Sequence, residues 1–339
     1  MTNLNAKETL ALFKRVYNSK IEDTDEQALT GIIKKVFGNG YTTPSAELLR
    51  EFNSLVIQQA EEVVKPKMQN LLQLFAQYKT TDFNNTVKYI IPKEVKARFR
   101  RSTFGGAIEY NRVDNTESVT AVPRDYQTGF QYETAQFAGG DVLGTFNKLV
   151  DDIADAMMRT LFEEVMQLIQ AAITSNKIPA ANVLPGDNLT LDQFNKLVTT
   201  FVRKGGKSPL FIADTLLIDH FAKQQATVAG GNLITDAMVS DIVEELHPTK
   251  IGRATAMSLV NPFVDSTNTK TEYPVNVGYM LAAGGQTKPV GITWFGGLMQ
   301  DSSYNFEDER VFLKVKFKAD VTLLFGDLIG RITENTAVK

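Results

Sequence analysis

Apolar residues recur at steps of three and four through about the first eighty positions, a spacing that predicts consecutive amphipathic helices joined by turn signals. Thr24 followed by Gln27 has the form of a capping box. Leu29, Ile32, Ile33, Val36 and Phe37 then share one helical face until Gly38-Asn39-Gly40 stops it. Pro44-Ser45 restarts the pattern. Leu48, Leu49, Phe52, Leu55, Val56, Val63 and Val64 form a further stripe, with an interruption expected at Pro66 before Leu71, Leu72 and Phe75 resume it.

Between residues 82 and 140 the period shortens to two. Tyr126, Thr128, Phe130 and Tyr132 alternate with polar residues, as on a half-buried strand, and Gly105-Gly106 marks a bend or bulge in the strand before it. The polar run "NRVDNTES" makes the tip of a long hairpin. A two-stranded ribbon of this kind has no second layer to bury its apolar face and is poorly stable alone.

The longest regular pattern runs from Thr145 to about Ile173. Phe146, Leu149, Val150, Ile153, Met157, Leu161, Val165, Leu168, Ile169 and Ala172 fall on one side, with Asp151, Asp152, Asp155, Glu163 and Glu164 mostly between them. At 1.5 Å per residue this helix reaches roughly 40 Å and reads as a spine.

A second capping box, Thr190 with Gln193, opens a helix carrying Phe194, Leu197, Val198 and Phe201. It leads into "RKGGKS" at 203–208, which looks like the end of a phosphate-binding loop. The leading glycine of such a loop is replaced by Phe201, and a helix precedes the Gly-Gly while the strand "LFIAD" follows. A phosphate loop needs the opposite order, so that a helix N-terminus faces the anion. A plain helix-to-strand turn is the better reading.

Asp214 or Thr215 then caps "LLIDHFAKQ", and after "VAGGN" another helix is expected from Thr235 to Leu246. The remainder is strand material: "ATAMSLV", "YPVNVGYMLAA", "VGITWFG" and "ERVFLKVKFKADVTLLFGDLIGRI". In the last run Val311, Leu313, Val315 and Phe317 point one way and Lys314, Lys316 and Lys318 the other.

The 339 residues suggest two or more domains, or one body with long extensions. Lys plus Arg number 36 against 39 Asp plus Glu, so a net charge of −3 argues against a general nucleic-acid binder. Cysteine is absent, which removes disulfides, thiolate metal sites and cysteine nucleophiles together. The first thirty residues carry Lys7, Lys14 and Arg15 without the apolar core of a signal peptide, and no run approaches the length of a membrane span.

Candidate chemistry is sparse. His220 and His247 have no second histidine at metal-ligand spacing and no identifiable catalytic partner, so structural roles are expected for both. "FEDE" at 306–309 lacks the oxygen-ligand spacing of a calcium loop, and Trp294 is expected in a core or an interface. No catalytic, metal-binding or cofactor-binding residue emerges. The most charged segment, "KEVKARFRR", sets Lys93, Lys96, Arg98, Arg100 and Arg101 against Glu94. It is either a solvated strand face that discourages unwanted pairing, or a basic ribbon docking on an acidic surface of a neighbouring copy, for which Asp151, Asp152 and Asp155 of the spine are candidates. Direct nucleic-acid contact ranks third, because aromatic residues are not interleaved as a stacking site needs.

The element order resembles the Hong Kong 97 (HK97-like) capsid fold, an α+β architecture of the major capsid proteins of tailed bacteriophages. The resemblance spans nearly the whole chain. It is carried most specifically by "FAGGDVLGTFNKLVDDIADAMMRTLFEEV", "SPLFIADTLLIDHF" and "RVFLKVKFKADVTLLFGDLIGRI". It implies a helical N-terminal arm at 1–80, an extended β-hairpin loop at 81–140, and a peripheral domain with the spine helix at 141–235. An axial domain at 236–299 and C-terminal strands at 300–339 returning to the peripheral domain would follow. It further implies an icosahedral shell of hexamers and pentamers around packaged double-stranded DNA, bound without sequence specificity, with a portal and scaffolding or decoration proteins as partners. Assembly in the host cytoplasm and residence in the virion capsid go with it, and no membrane or cofactor does. On this reading Tyr126, Phe130 and Tyr132 join the basic and acidic residues above as candidate inter-subunit contacts, and neighbouring copies cover the apolar stripes of arm and ribbon. An encapsulin-like compartment of the same fold is the alternative. A nucleotide enzyme built on Lys207 lacks its glycine, and a DNA-binding module on Arg98 to Arg101 is weakened by the near-neutral total.

Overall fold

Val311, Leu313, Val315 and Phe317 are buried while Phe312 and Lys314 alternate with them toward solvent, so the strand that carries them has one face in the core. In the computed structural model the described residues are 6–18, 23–38, 44–72, 75–91, 117–138, 142–205, 207–228, 250–259, 261–282 and 287–338. The helices are α1 (Ala6–Tyr17), α2 (Asp23–Phe37), α3 (Ala46–Leu72), α4 (Thr134–Ala138), α5 (Val142–Thr174), α6 (Leu191–Gly205) and α7 (Thr215–Val228). Their strands begin with β1 (Ala76–Thr81), β2 (Lys88–Ile91), β3 (Glu117–Thr120), β4 (Arg124–Glu133), β5 (Val183–Gly186) and β6 (Leu210–Ala213). The rest are β7 (Lys250–Ile251), β8 (Ala254–Ser258), β9 (Val277–Leu281), β10 (Val290–Asn305), β11 (Arg310–Leu323) and β12 (Ile329–Glu334). The fold is α+β.

A four-stranded sheet in the order β1-β10-β11-β4 forms the first layer. β10 and β11 are a long antiparallel hairpin whose register shifts between Phe295 and Met299, where Gly296 takes φ +69° and the Phe83 ring lies against it. A side chain at Gly296 would collide with that ring. On the inner face Trp294 stacks on Phe317 at 5.0 Å, and Phe317 on Tyr126 at 5.0 Å, an aromatic ladder across three strands.

The spine, α5, has 33 residues and a length of about 50 Å. Its apolar side packs on the sheet's inner face and on α3. The arm corrects an expectation. Leu12, Phe13, Val16, Leu29, Ile33, Val36, Phe37, Leu49, Phe52 and Val56 are all buried by the chain itself, in one cluster with the spine and the sheet. Their cover lies far along the sequence, which is why periodicity alone left it to other copies. Phe13 lies 4.5 Å from Phe146 of α5 and 5.9 Å from Phe52 of α3. Arg15 grips the buried Asp25 through Nε and Nη2 at 2.9 and 2.6 Å, tying α1 to α2. α2 ends as expected, with Gly38 at φ 64° donating its N–H to the Lys34 carbonyl. The interruption expected at Pro66 does not occur. α3 runs through it, and Pro66 is exposed, where the carbonyl deprived of its partner can be solvated.

The second sheet has the order β5-β12-β9-β6-β8-β7. β6 is buried on both faces: Leu210 and Ile212 join the spine cluster, while Phe211 and Ala213 join a second core with Phe194 of α6 and Phe221 of α7. Helix α6 followed by β6 makes Lys207 part of a helix-to-strand connection, as its order in the sequence implies. These ladders cross the boundaries expected at 235/236 and 299/300. Strands at 183–186 and 210–213 join those at 254–258 and 277–281, and 329–334 pairs between β5 and β9. Pairing between distant segments has no local signature.

The chain end is locked by Glu334, which is fully buried on β12. Burial by itself would raise its pKa, but N–H groups of Ala337, Leu189, Thr336 and Asn188 donate to the carboxylate and hold it at about 2. His220 sits nearby, its Nε2 3.0 Å from the Leu189 carbonyl oxygen, a structural role.

Two outcomes follow. Phe13→Ala removes a ring shared by α1, α3 and α5 and is expected to destabilise the chain by about 3–5 kcal/mol. Limited proteolysis should then cut within α1 before the sheets. Because Glu334 titrates below the ordinary 4.5, its contribution is complete above about pH 4.5 and lost as pH falls through about 2. Acid unfolding of Glu334→Gln, followed by circular dichroism, should show reduced stability at neutral pH and a shallower decline over that interval.

Candidate assembly surface

The extended ribbon divides into two parts. β4 runs beside β11 over ten residue pairs and so belongs to the first sheet, whereas β2 and β3 pair only with each other among the described residues. Of the described part of the expected free-standing hairpin, β4 therefore belongs to the body, because it finds in β11 a partner of matching alternation, and β2 with β3 forms a stalk. The stalk is seated by Tyr89, which is buried and exchanges a 2.7 Å hydrogen bond with Thr293 of β10. Burial pushes the Tyr89 phenol up to about 12. Gly291 allows this seat, since a Cβ there would lie 2.8 Å from the Tyr89 ring. At the turn from β3 to β4, the Val122 N–H donates to buried Asp320 of β11 at 3.2 Å, and Thr322 donates to the same carboxylate oxygen at 2.7 Å.

What remains outward is apolar in several places. Ile90 is 67% exposed, Val122 63%, Phe306 73% and Phe312 41%. A shallow cavity of about 670 Å³ lies along the sheet, lined by Gln127 to Gln131 of β4, Asp301 to Ser303 of β10 and Phe312 to Lys314 of β11. "FEDE" forms the exposed tip of the β10–β11 hairpin.

The candidate residues fall into separate places. Lys93, Lys96, Arg98, Arg100 and Arg101 lie outside the described residues, as do Gly105-Gly106, the Gly-Gly-Asp before the spine, the helix expected at 235–246 and His247. Tyr126 is half-buried against Phe317. Phe130 is half-buried and lines the cavity. Tyr132 is 6% exposed and donates to Asn53 Oδ1 of α3 at 2.8 Å, so its side chain serves the chain's own arm. Burial raises its phenol pKa well above the usual range.

Asp151, Asp152 and Asp155 are exposed on α5, as expected of an acidic face. The arm already uses part of that face: the Tyr17 hydroxyl donates to Asp151 Oδ1 at 2.6 Å. Burial, this hydrogen bond and the charges of Asp151 and Asp155 together push Tyr17 up to about 12. Sequence reasoning missed the seat at Tyr89, the Asp320 anchor and the outward Phe312. Only the last had a signal, as the one aromatic on the lysine-bearing side of the final strand pattern. Among the described residues no cluster of three or more His, Asp or Glu could hold a metal ion, and no helix is long and apolar enough to cross a membrane.

The family model described as SPbeta prophage-derived putative capsid protein YonB matches residues 9–333. A relative in Bacillus subtilis (strain 168), the SPbeta prophage-derived uncharacterized protein YonB, is 46% identical over 329 residues, covering 97% of each chain. Similar solved structures include the capsid of the cyanophage P-SCSP1u, at 9% identity, TM-score 0.49 and coverage of 77% of this chain and 86% of that one. The satellite phage P4 procapsid gives 9% identity, TM-score 0.48 and coverage of 86% and 92%. The holo-SrpI encapsulin complex from Synechococcus elongatus gives 14% identity, TM-score 0.46 and coverage of 82% and 90%.

If Asp151 holds α1 through Tyr17, then Asp151→Ala and Tyr17→Phe should each lower stability at neutral pH by about 1 kcal/mol, with no further loss in the double variant. Urea midpoints of the three variants read this directly. Full additivity would release Asp151 from the arm.

Proposed function

The chain belongs to the family described as SPbeta prophage-derived putative capsid protein YonB, and from that premise we propose that it is a major capsid protein, building an icosahedral HK97-like shell around double-stranded DNA. The match over residues 9–333 carries this reading. The geometry supports it. A body whose arm is buried by its own chain can fold before it meets its neighbours, and the stalk, the outward Ile90, Val122, Phe306 and Phe312, and the open cavity are left for contacts between copies. The role is structural, with the work done at interfaces. Tyr126 and Phe130 of β4, and Asp152 and Asp155 on the spine, remain proposed inter-subunit contacts, with the basic ribbon as the partner of the acids.

In this proposal the copies form hexamers and pentamers, a portal and scaffolding or decoration proteins are partners, and the shell assembles in the host cytoplasm. The spine and first sheet make the peripheral part, and the second sheet with α6 and α7 the axial part.

Electron micrographs of the purified chain at micromolar concentration should show closed particles of uniform diameter. Particles recovered from an induced prophage should contain nuclease-protected DNA. Uniform particles that hold protein cargo and no DNA would replace the viral reading with a cargo compartment. A chain that stays monomeric at every concentration would sink both.

A further inference from the structure

The cations of "RKGGKS" have no phosphate loop to serve, but the second sheet gathers others beside them. There β9 runs antiparallel to both its neighbours, so Leu281 lies level with Leu210 of β6 and Ile329 of β12. Lys207 to Pro209, which enter β6, and Leu324 to Leu328, which enter β12, therefore stand at the same end of the sheet.

The turn Leu324–Leu328 is the centre of that end. The Leu324 and Phe325 N–H groups donate to the Pro289 carbonyl at 2.9 and 3.0 Å, which sets Lys288 beside the turn. Gly326 rests so closely on the residues after α5 that a Cβ there would strike the Lys177 carbonyl oxygen. Lys204, in the last turn of α6, donates to the Asp327 carbonyl at 3.1 Å and lies 3.4 Å from its carboxylate. Arg203 is exposed one position before it. Lys288 is half-buried, and burial first and the charge of Lys207 second lower its pKa, so the two ammonium groups feel each other. Five cations thus surround a turn with one carboxylate, Asp327, which Lys204 already engages. The segments 175–182, 203–209 and 283–289 contain no Asp or Glu. Arg203 and Lys204 complement the C-terminal dipole of α6, and Lys177 follows the end of α5. Lys207 and Lys288 have no such role.

We propose that this end of the second sheet binds the phosphate backbone of double-stranded DNA, without sequence specificity, through Lys177, Arg203, Lys204, Lys207 and Lys288. The inference rests on the capsid reading, which supplies the DNA. A chain of net charge −3 repels a polyanion as a whole, so contact with a packaged genome needs cations concentrated in one place. The chemistry of the patch separates this occupant from a second protein. Protein interfaces have a core enriched in aromatic residues and depleted of charge, whereas no large apolar side chain exposed among the described residues belongs to these segments. Four of the five cations are lysines, point charges on flexible stems that suit a run of phosphates better than the fixed geometry of a bidentate pair. Without an exposed aromatic on which bases could stack, a duplex fits better than a single strand.

The test uses the full chain, kept dilute enough to stay unassembled, and a labelled DNA duplex of mixed sequence. Lys207→Gln with Lys288→Gln should lower affinity about tenfold at low salt, and the slope of log affinity against log salt should flatten by about 0.9 for each lysine that meets a phosphate. A second duplex of different sequence should give the same losses. Lys148→Gln with Lys314→Gln removes the same charge elsewhere and should leave affinity near native. The urea midpoint and particle yield of both variants should match the native chain. Equal losses in the two variants, or none in the first, would overturn the patch. Loss of particles with DNA affinity retained would overturn it in favour of an acidic surface on another copy. A native chain that builds particles yet binds no duplex would overturn this inference alone, whereas a native chain that builds no particles would overturn the capsid reading and the genome as occupant. Should the first variant fail to fold by circular dichroism, Lys177→Gln with Arg203→Gln decides by the same measurements.

Discussion

Six aromatic rings hold the first half of the molecule together. Phe13 of α1, Phe37 of α2, Phe52 of α3, Phe137 of α4, Phe146 of α5 and Tyr132 of β4 meet in one buried junction, with centroid separations between 4.5 and 6.2 Å. Each arm helix contributes one ring, and α4, the spine and the ribbon strand contribute one each. An aromatic pair adds roughly 0.5–1.5 kcal/mol beyond its burial, so a junction of this size fixes where the arm lies. Because the junction is internal, the arm is part of the folded subunit and not an appendage waiting for a neighbour.

That placement divides the surface into settled and unsettled parts. The inner face of the first sheet is closed by α3 and α5, and the aromatic ladder of Trp294, Phe317 and Tyr126 makes it stiff. The stalk of β2 and β3 is attached through Tyr89 and Asp320, by one buried and one part-buried polar contact. Buried polar contacts hold a direction better than apolar ones, because a small rotation breaks them. The unsettled part is the set of exposed apolar residues, Ile90, Val122, Phe306 and Phe312. A subunit built this way is complete as a fold and incomplete as a surface.

The legible parts of the sequence were those with a period. The spine was readable to within a few residues, α2 to its terminating glycine, and the last strands from the alternation of Val311 to Lys318. The turn at Lys207 was readable from the order of its flanking elements. Pro66 misled because a proline rule concerns local hydrogen bonding, whereas α3 is held along its length by Phe52, Val56 and Val64 in the core. Tyr132 alternated correctly, yet its partner, Asn53, lies 79 positions earlier and has no signal in any window around it.

Periodicity, caps and turn residues act within a turn or two of chain, so the sequence by itself determined which segments are helices and strands and which of their faces are apolar. The tertiary structure decided which apolar face meets which. It closed the arm upon its own spine and joined β5, β12, β9, β6, β8 and β7 into one sheet. Those outcomes depend on contacts between residues far apart along the chain, whose free energy comes from shared burial and is written in neither segment alone.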